Sequence, residues 1–214
     1  MGEVRIPSES VLLPGELLIP QRALGFVVFA HGSGSSRLSP RNRFVASVIR
    51  EAGIGTLIFD LLTLEEEALD ARSGHLRFDI AFLARRLRDA TRWVLDQESV
   101  GSMNVGYFGS STGGAAALAV AAEEGERIGA IVSRGGRPDL AGPALLRVRA
   151  PTLLIVGGFD EAVIRMNQEA FEQMQCVKEL KIVPGATHLF HEPGTLERVA
   201  RLAAEWFRVH LVAT

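Results

Sequence analysis

Short apolar runs alternate along this chain with longer amphipathic segments, and that alternation restricts the folds that the chain can adopt. The runs are rich in β-branched and aromatic residues, and most show no alternation of apolar and polar positions, which is typical of strands covered on both faces. The predicted strands span residues 25–30, 55–60, 103–108, 128–133, 152–156 and 179–183. We therefore expect an α/β fold with a doubly wound, mostly parallel sheet flanked by helices on both faces.

The segments between these runs carry apolar residues at spacings of three and four, which indicates helices that pack against the sheet. One or two edge strands are expected within 11–19, and the charge-rich stretch 65–74 is expected to be a loop that borders a site. No linker and no insertion long enough for a lid domain is visible, so the sequence predicts a single domain over 1–214 without a lid. The predicted helices span residues 40–52, 79–95, 113–123, 161–174 and 195–210.

Composition and charge exclude several classes of function. A formal net charge of −2 provides no field that would attract nucleic acid or anionic lipid. No apolar run approaches the roughly 20 residues of a membrane span, and no signal peptide is visible. The single cysteine, Cys176, cannot form an internal disulfide, which fits a reducing compartment. We expect a cytoplasmic protein that acts on a small molecule, without a nucleic-acid or membrane partner and without a metal or cofactor.

A serine with small neighbours lies between a predicted strand and a predicted helix. The residues Gly109-Ser110-Ser111-Thr112-Gly113 match the pattern G-x-S-x-G. On such a turn the serine backbone is strained, so the positions two before and two after it must be small for the turn to close. The helix that follows directs its free N–H groups toward an oxyanion forming on a substrate. We predict Ser111 as a nucleophile, and a glycine-rich turn without a catalytic role is the alternative.

A serine hydroxyl is a weak nucleophile that needs a base, and the base needs an acid to hold its tautomer. Asp160 and His188 each follow the end of a predicted strand. Because the carboxyl ends of parallel strands meet at one edge of the sheet, we predict His188 as the general base and Asp160 as the residue that orients it. Glu161 and His191 are the rival acid and base, and a helix N-cap is the alternative role of Asp160.

Other residues are expected to border the site. In a hydrolase of this shape, the junction after the first central strand supplies one backbone N–H to the oxyanion, and the residue after the nucleophile supplies the other. We therefore predict the N–H groups of Ser33 and Thr112 as the oxyanion hole, and a structural role for His31 in the same junction. Arg134 and Arg137 follow another strand end and are interpreted as surface charges, with a place in the pocket lining as the alternative.

These motifs together resemble the α/β-hydrolase superfamily, and within it the small group without a lid around the dienelactone hydrolases. The resemblance runs from about residue 11 to residue 210, and it implies a serine hydrolase that cleaves a small ester, lactone or thioester through an acyl-enzyme. One position departs from the group, because dienelactone hydrolases proper carry cysteine where this chain has Ser111. The resemblance rests on His31-Gly32-Ser33-Gly34, Gly109-Ser110-Ser111-Thr112-Gly113, Gly158-Phe159-Asp160 and Ala186-Thr187-His188.

Two functions of other classes compete with this interpretation. A nucleotide-binding Rossmann domain would use Gly32 and Gly34 at the phosphates and Asp60 at the ribose, but its third small position falls on Arg37. A hydrolase-like protein without catalysis could instead bind a small ligand. A metal hydrolase is disfavoured, because the five histidines lack the spacing of metal ligands.

Overall fold

The computed structural model describes residues 2–211 and consists of eight strands and six α-helices, with short 3-10 segments between them. The strands are β1 (Glu3–Ser8), β2 (Val11–Leu18), β3 (Phe26–Ala30), β4 (Gly55–Phe59), β5 (Val105–Ser110), β6 (Ile128–Arg134), β7 (Thr152–Gly157) and β8 (Lys178–Val183). The helices are α1 (Pro40–Glu51), α2 (Leu64–Ser73), α3 (Ile80–Leu95), α4 (Thr112–Glu124), α5 (Glu161–Gln173) and α6 (Thr195–Leu211).

All eight strands form one sheet in the order β1-β2-β4-β3-β5-β6-β7-β8. The six strands from β3 to β8 are parallel, whereas β1 and β2 form an antiparallel hairpin that joins the sheet along β4. Apolar side chains of α3, α4 and α5 fill the layer on one face, and those of α1 and α6 fill the layer on the other. The predicted doubly wound, mostly parallel sheet with helices on both faces is confirmed.

The central strands are buried on both faces, because both faces carry helices. Every residue of β3, β4, β5 and β7 is buried, which explains why these segments lack alternation in the sequence. Strand β8 differs from the predicted pattern of strands that are covered on both faces. It lies at an edge of the sheet, and of its six residues only Val183 is buried. Its mixed composition reflects an edge strand with charged side chains, which discourage pairing with another chain.

Two segments differ from the sequence-based expectations. The stretch 65–74, expected to be a loop, forms helix α2, which a capping box between Thr63 and Glu66 begins. Only Asp70 of this helix is buried, so the apolar periodicity that reveals packed helices is missing. Strand β1 lies upstream of the expected edge region, so it was not among the predicted strands. It pairs with β2 through residues of alternating exposure.

The parallel strands place the predicted site residues at one edge of the sheet. Ser111 directly follows β5, Asp160 comes shortly after β7, and His188 lies in the loop after β8. The junction that contains Ser33 follows β3 at the same edge. In sheets of this type, the crevice outside the carboxyl ends of the strands is the usual position of a ligand. Within residues 2–211, no helix has the length and apolar character needed to cross a membrane.

Candidate active site

Ser111 occupies a strained turn between β5 and α4. Its backbone adopts φ 51° and ψ −122°, a conformation that costs a residue other than glycine about 1–3 kcal/mol. Three backbone hydrogen bonds hold the turn: the Ser111 N–H donates to Arg134 O at 3.3 Å, and Ser111 O accepts from Gly114 N at 3.0 Å and Arg137 N at 3.1 Å. This geometry lifts the serine side chain out of the strand at the start of the helix.

Glycines allow three backbone segments to meet around this turn. A Cβ on Gly109 would lie 2.6 Å from Gly113 O, and one on Gly113 would overlap the carbonyl oxygen of Ala30. A Cβ on Gly32 would lie 2.8 Å from the Ser111 Cβ. The turn therefore closes only with small residues at these positions, and the junction after β3 approaches the serine directly.

His188 and Asp160 are joined by a short hydrogen bond. The His188 Nδ1 lies 2.6 Å from Asp160 Oδ2. A carboxylate accepts hydrogen bonds, so Nδ1 is the donor of this contact and Nε2 is the ring nitrogen that remains for another partner. The loop that carries His188 is held by Thr187, whose hydroxyl donates to Glu192 Oε1 at 2.6 Å.

The geometry separates these two residues from their rivals. Asp160 occupies the N-cap position of α5, but its side chain makes no capping hydrogen bond there and instead contacts the imidazole. Glu161 and His191 are both exposed, and within residues 2–211 neither is hydrogen-bonded to this pair.

Ser111 and His188 lie on either side of the carboxyl end of β6. A Cβ on Gly135 would lie 3.4 Å from His188 Cε1, and the residue before Gly135 accepts the backbone hydrogen bond from Ser111. No hydrogen bond joins Ser111 Oγ to His188 Nε2 among residues 2–211. Such contacts are often long in ligand-free enzymes and tighten when substrate binds.

The two residues predicted for the oxyanion hole are neighbours. Ser33 Oγ lies 3.3 Å from Thr112 Oγ1. Within residues 2–211 the backbone N–H of neither residue donates a hydrogen bond to the protein. Both donors are therefore available to an oxyanion beside Ser111, and the Thr112 N–H also belongs to the free first turn of α4.

His31 is buried and ties the junction after β3 to the segment after β4. Its Nε2 accepts a hydrogen bond from the Leu61 N–H at 2.9 Å, and its Nδ1 lies 3.0 Å from Gly32 O. Both contacts require the neutral ring with the proton on Nδ1. Burial lowers the pKa of His31 below its ordinary value, although the Gly32 carbonyl and Asp60 oppose that shift.

Acidification should therefore weaken the fold through His31. In the unfolded chain this imidazole takes up a proton near pH 6.5, whereas burial keeps it neutral in the folded protein, so unfolding binds the proton. The contribution of neutral His31 to the free energy of unfolding is complete above pH 6.5. It decreases as the pH falls toward the lowered pKa of the folded protein, by at most about 1.4 kcal/mol per pH unit. Urea unfolding at pH 7.5 and 5.5 should show a smaller decrease for His31→Gln than for the wild type. Equal decreases would contradict this role.

A cleft of about 530 Å³ opens beside Ser33 and Thr112, the residues predicted for the oxyanion hole. Its walls include Ser33 and Thr112 on one side, and Glu67 and Asp70 of α2 on the other. The segment 65–74 thus borders a cleft as expected, although as a helix rather than a loop. The cleft is lined by both residues predicted for the oxyanion hole but not by Ser111, Asp160 or His188.

The structure revises the interpretation of two charged residues, Arg134 and Asp60. Arg134 is not a surface charge, because only 7% of it is exposed, whereas Arg137 is partly exposed and paired with Asp139. Only its position at the end of an apolar strand could have indicated that Arg134 is buried. Asp60 binds both the N–H and the guanidinium of Arg37, each at 2.6 Å, so it is occupied and unsuited to a ribose. Within residues 2–211, no cluster of three or more metal-ligating side chains is present.

Comparison with protein families and solved structures identifies relatives over nearly the whole chain. The dienelactone hydrolase family profile matches residues 21–210. A crystal structure of a dienelactone hydrolase from Anabaena variabilis is 58% identical, with a TM-score of 0.95 over 98% of this chain and 97% of that one. Est1E from Butyrivibrio proteoclasticus is 17% identical, with a TM-score of 0.82 over 98% of this chain and 99% of that one, and shares the α/β-hydrolase fold.

Two relatives carry a different name. Proteins of two Mycobacterium tuberculosis strains, each named a putative phosphoribosyl transferase, are 54% identical over 209 residues. The match covers 98% of this chain but 46% of each of those proteins. The chain therefore spans about half the length of these curated relatives.

Proposed function

The chain belongs to the dienelactone hydrolase family, and we propose that it is a serine hydrolase that cleaves a small ester, lactone or thioester through Ser111, His188 and Asp160. The observation that carries this proposal is the 2.6 Å contact between His188 Nδ1 and Asp160 Oδ2. This contact supports the proposal because it uses Nδ1 and leaves Nε2 for the hydroxyl of a serine that lies on a strained turn at the same sheet edge.

The proposed reaction is a two-step acyl transfer. His188 Nε2 takes the proton of Ser111 Oγ as that oxygen attacks the carbonyl carbon, and the N–H groups of Ser33 and Thr112 stabilise the resulting oxyanion. The intermediate collapses, the C–O or C–S bond breaks, and the leaving group takes the proton from His188. Water then attacks the acyl-enzyme with His188 as base, and this releases the acid and restores Ser111. Asp160 stabilises the imidazolium that forms in each step.

The mycobacterial relatives that carry the transferase name extend well beyond the region that matches this chain. This chain aligns with only 46% of their length, and that part carries the hydrolase-family match. We propose that this chain, which matches the hydrolase family over residues 21–210, does not itself transfer a phosphoribosyl group. Purified protein should therefore release no pyrophosphate from phosphoribosyl diphosphate in the presence of nucleobases.

A fluorophosphonate probe tests the proposed nucleophile. The wild-type protein should be labelled, and peptide mapping should place the label on Ser111, because only an activated serine attacks the probe rapidly. Ser111→Ala should abolish labelling. Ser110→Ala is the matched control, since it removes the neighbouring hydroxyl on β5, and it should remain labelled. A wild-type protein that stays unlabelled would instead favour a ligand-binding protein without catalysis.

A further inference from the structure

The β6 turn, residues 134–137, holds the backbone of the proposed nucleophile from both sides. The Arg134 carbonyl oxygen accepts the Ser111 N–H at 3.3 Å, and the Arg137 N–H donates to Ser111 O at 3.1 Å. Both bonds are made to the residue whose backbone is strained. A shift of the β6 turn therefore moves the serine that is proposed to attack the substrate.

The same turn lies against the imidazole of the proposed base. Gly135, its second residue, adopts φ 51°, and a Cβ on it would lie 3.4 Å from His188 Cε1 and 3.5 Å from His188 Nδ1. The Gly135 N–H donates to Ile155 O in β7 at 2.7 Å, which fixes this end of the turn to the sheet. The β6 turn is therefore the backbone that separates Ser111 from His188, which no hydrogen bond joins among residues 2–211.

A buried asparagine on α5 holds the middle of the β6 turn. The Asn167 side chain is completely buried, and its Nδ2 donates to Gly136 O at 3.0 Å and to Val163 O at 2.8 Å. Gly136 has no room for a side chain, because a Cβ on it would overlap Ser133 Oγ. The turn is therefore held through its backbone, and Asn167 supplies a side-chain hydrogen bond to it. Because α5 begins directly after Asp160, one helix contacts the β6 turn and also follows the proposed acid.

The side chain of Asn167 is costly for the stability of the fold. It lies on the buried face of α5 with the apolar residues Val163 and Ala170, and its Oδ1 is buried without a hydrogen-bond partner among residues 2–211. An unpaired buried acceptor destabilises a fold, and an apolar side chain of similar volume would avoid that cost. Such departures from good core packing are typical of functional sites. The bond to Gly136, rather than packing, therefore explains the asparagine at this position.

We propose that Asn167 is a positioning residue, which acts through Gly136 and the β6 turn to set the relative placement of Ser111 and His188. The effect on the reaction rests on the proposed serine hydrolase function, but the hold of Asn167 on the β6 turn can be measured without catalysis. Within residues 2–211, neither Asn167 nor the β6 turn lines the cleft beside the oxyanion hole. The loss of Asn167 should therefore slow the chemical step and leave the binding of substrate nearly unchanged.

The kinetic test follows the acylation burst with p-nitrophenyl acetate by stopped flow. Asn167→Leu keeps the volume of the side chain and removes its donor. The maximum rate of acylation should fall about tenfold or more, because small displacements of reacting groups cost rate steeply. The ester concentration that gives half of that rate should stay within about twofold of the wild-type value.

Thr152→Val is the matched control for this test. Thr152 is completely buried at the start of β7, at the opposite edge of the sheet, and its hydroxyl donates to Ala150 O at 2.9 Å. The variant also loses a buried hydrogen bond to a backbone carbonyl, but it should keep the acylation rate. An unchanged rate in Asn167→Leu, or an equal loss in Thr152→Val, would overturn the proposal.

Hydrogen exchange followed by NMR tests the contact without catalysis. In Asn167→Leu the N–H groups of Ser111 and Arg137 should exchange about tenfold faster than in the wild type, because both hydrogen bonds depend on the β6 turn. Thr152→Val should leave their exchange unchanged, and Asn167→Ala decides the matter if Asn167→Leu does not fold. Faster exchange in a protein whose wild type fluorophosphonate does not label would keep the contact but reject the hydrolase, and with it the role in the reaction. A labelled wild type with unchanged exchange in the Asn167 variants would reject the positioning role alone.

Discussion

Ser111→Ala and His188→Ala should each lower kcat for p-nitrophenyl acetate by about 10⁴-fold or more, and the double variant should be scarcely slower than either single one. The reason is that an unassisted hydroxyl is as ineffective as no hydroxyl. The short bond between His188 and Asp160 links the base to the acid in the same unit, so Asp160→Asn should cost about 10⁴-fold through the wrong imidazole tautomer. Burst and steady-state kinetics with purified protein measure these losses.

Two controls make this result specific. His191→Ala removes the rival histidine three residues further along the exposed loop, and Glu161→Gln removes the rival acid at the start of α5. Both variants should keep turnover within a few fold of the wild type. Losses that multiply in the Ser111 and His188 double variant would show that the two residues act independently and would contradict the proposed mechanism.

Gly113→Ala should strongly destabilise the fold. The added methyl group would overlap the carbonyl oxygens of Ala30 and His31, which are backbone atoms at the end of β3 and cannot rotate away. Relief requires α4 to move from β3 and to take Ser111 with it. Overpacking of a core site costs typically about 1–3 kcal/mol and occasionally more, and domains are stable by about 5–15 kcal/mol, so we expect a substantial part of the free energy of unfolding to be lost.

Gly74→Ala is the matched control for this substitution. Gly74 ends α2 with φ 68° and has no atom within 4 Å of a Cβ, so it tests backbone strain without overlap. That strain costs about 1 kcal/mol. Urea unfolding followed by circular dichroism should therefore give a small shift for Gly74→Ala and a large one, or no folded protein, for Gly113→Ala. A folded Gly113→Ala protein with near-normal stability would mean that α4 packs less closely against β3 than the structure shows.

The sequence predicted the elements that have a strong local signal. Strands β3, β4, β5 and β7 are buried throughout, so each could be recognised in the sequence as a continuous apolar run. Helix α2 had no such stripe, because Asp70 is its one buried residue. Its sequence signals were a capping box at Thr63 and Glu66, acidic residues in the first turn and Gly74 at the C-cap, and such short patterns are easily overlooked.

The sequence alone determined the fold class and predicted the residues of the candidate site, because strand–loop–helix periodicity and the pattern G-x-S-x-G are local properties that can be recognised without knowledge of contacts. The family match and the sheet topology confirm the fold class. Only the tertiary structure decided which acid His188 contacts, that Asp60 is bound to Arg37, and that Arg134 is buried without a counter-charge. These are relations between side chains that lie far apart in the sequence, and no local pattern encodes the distance between them.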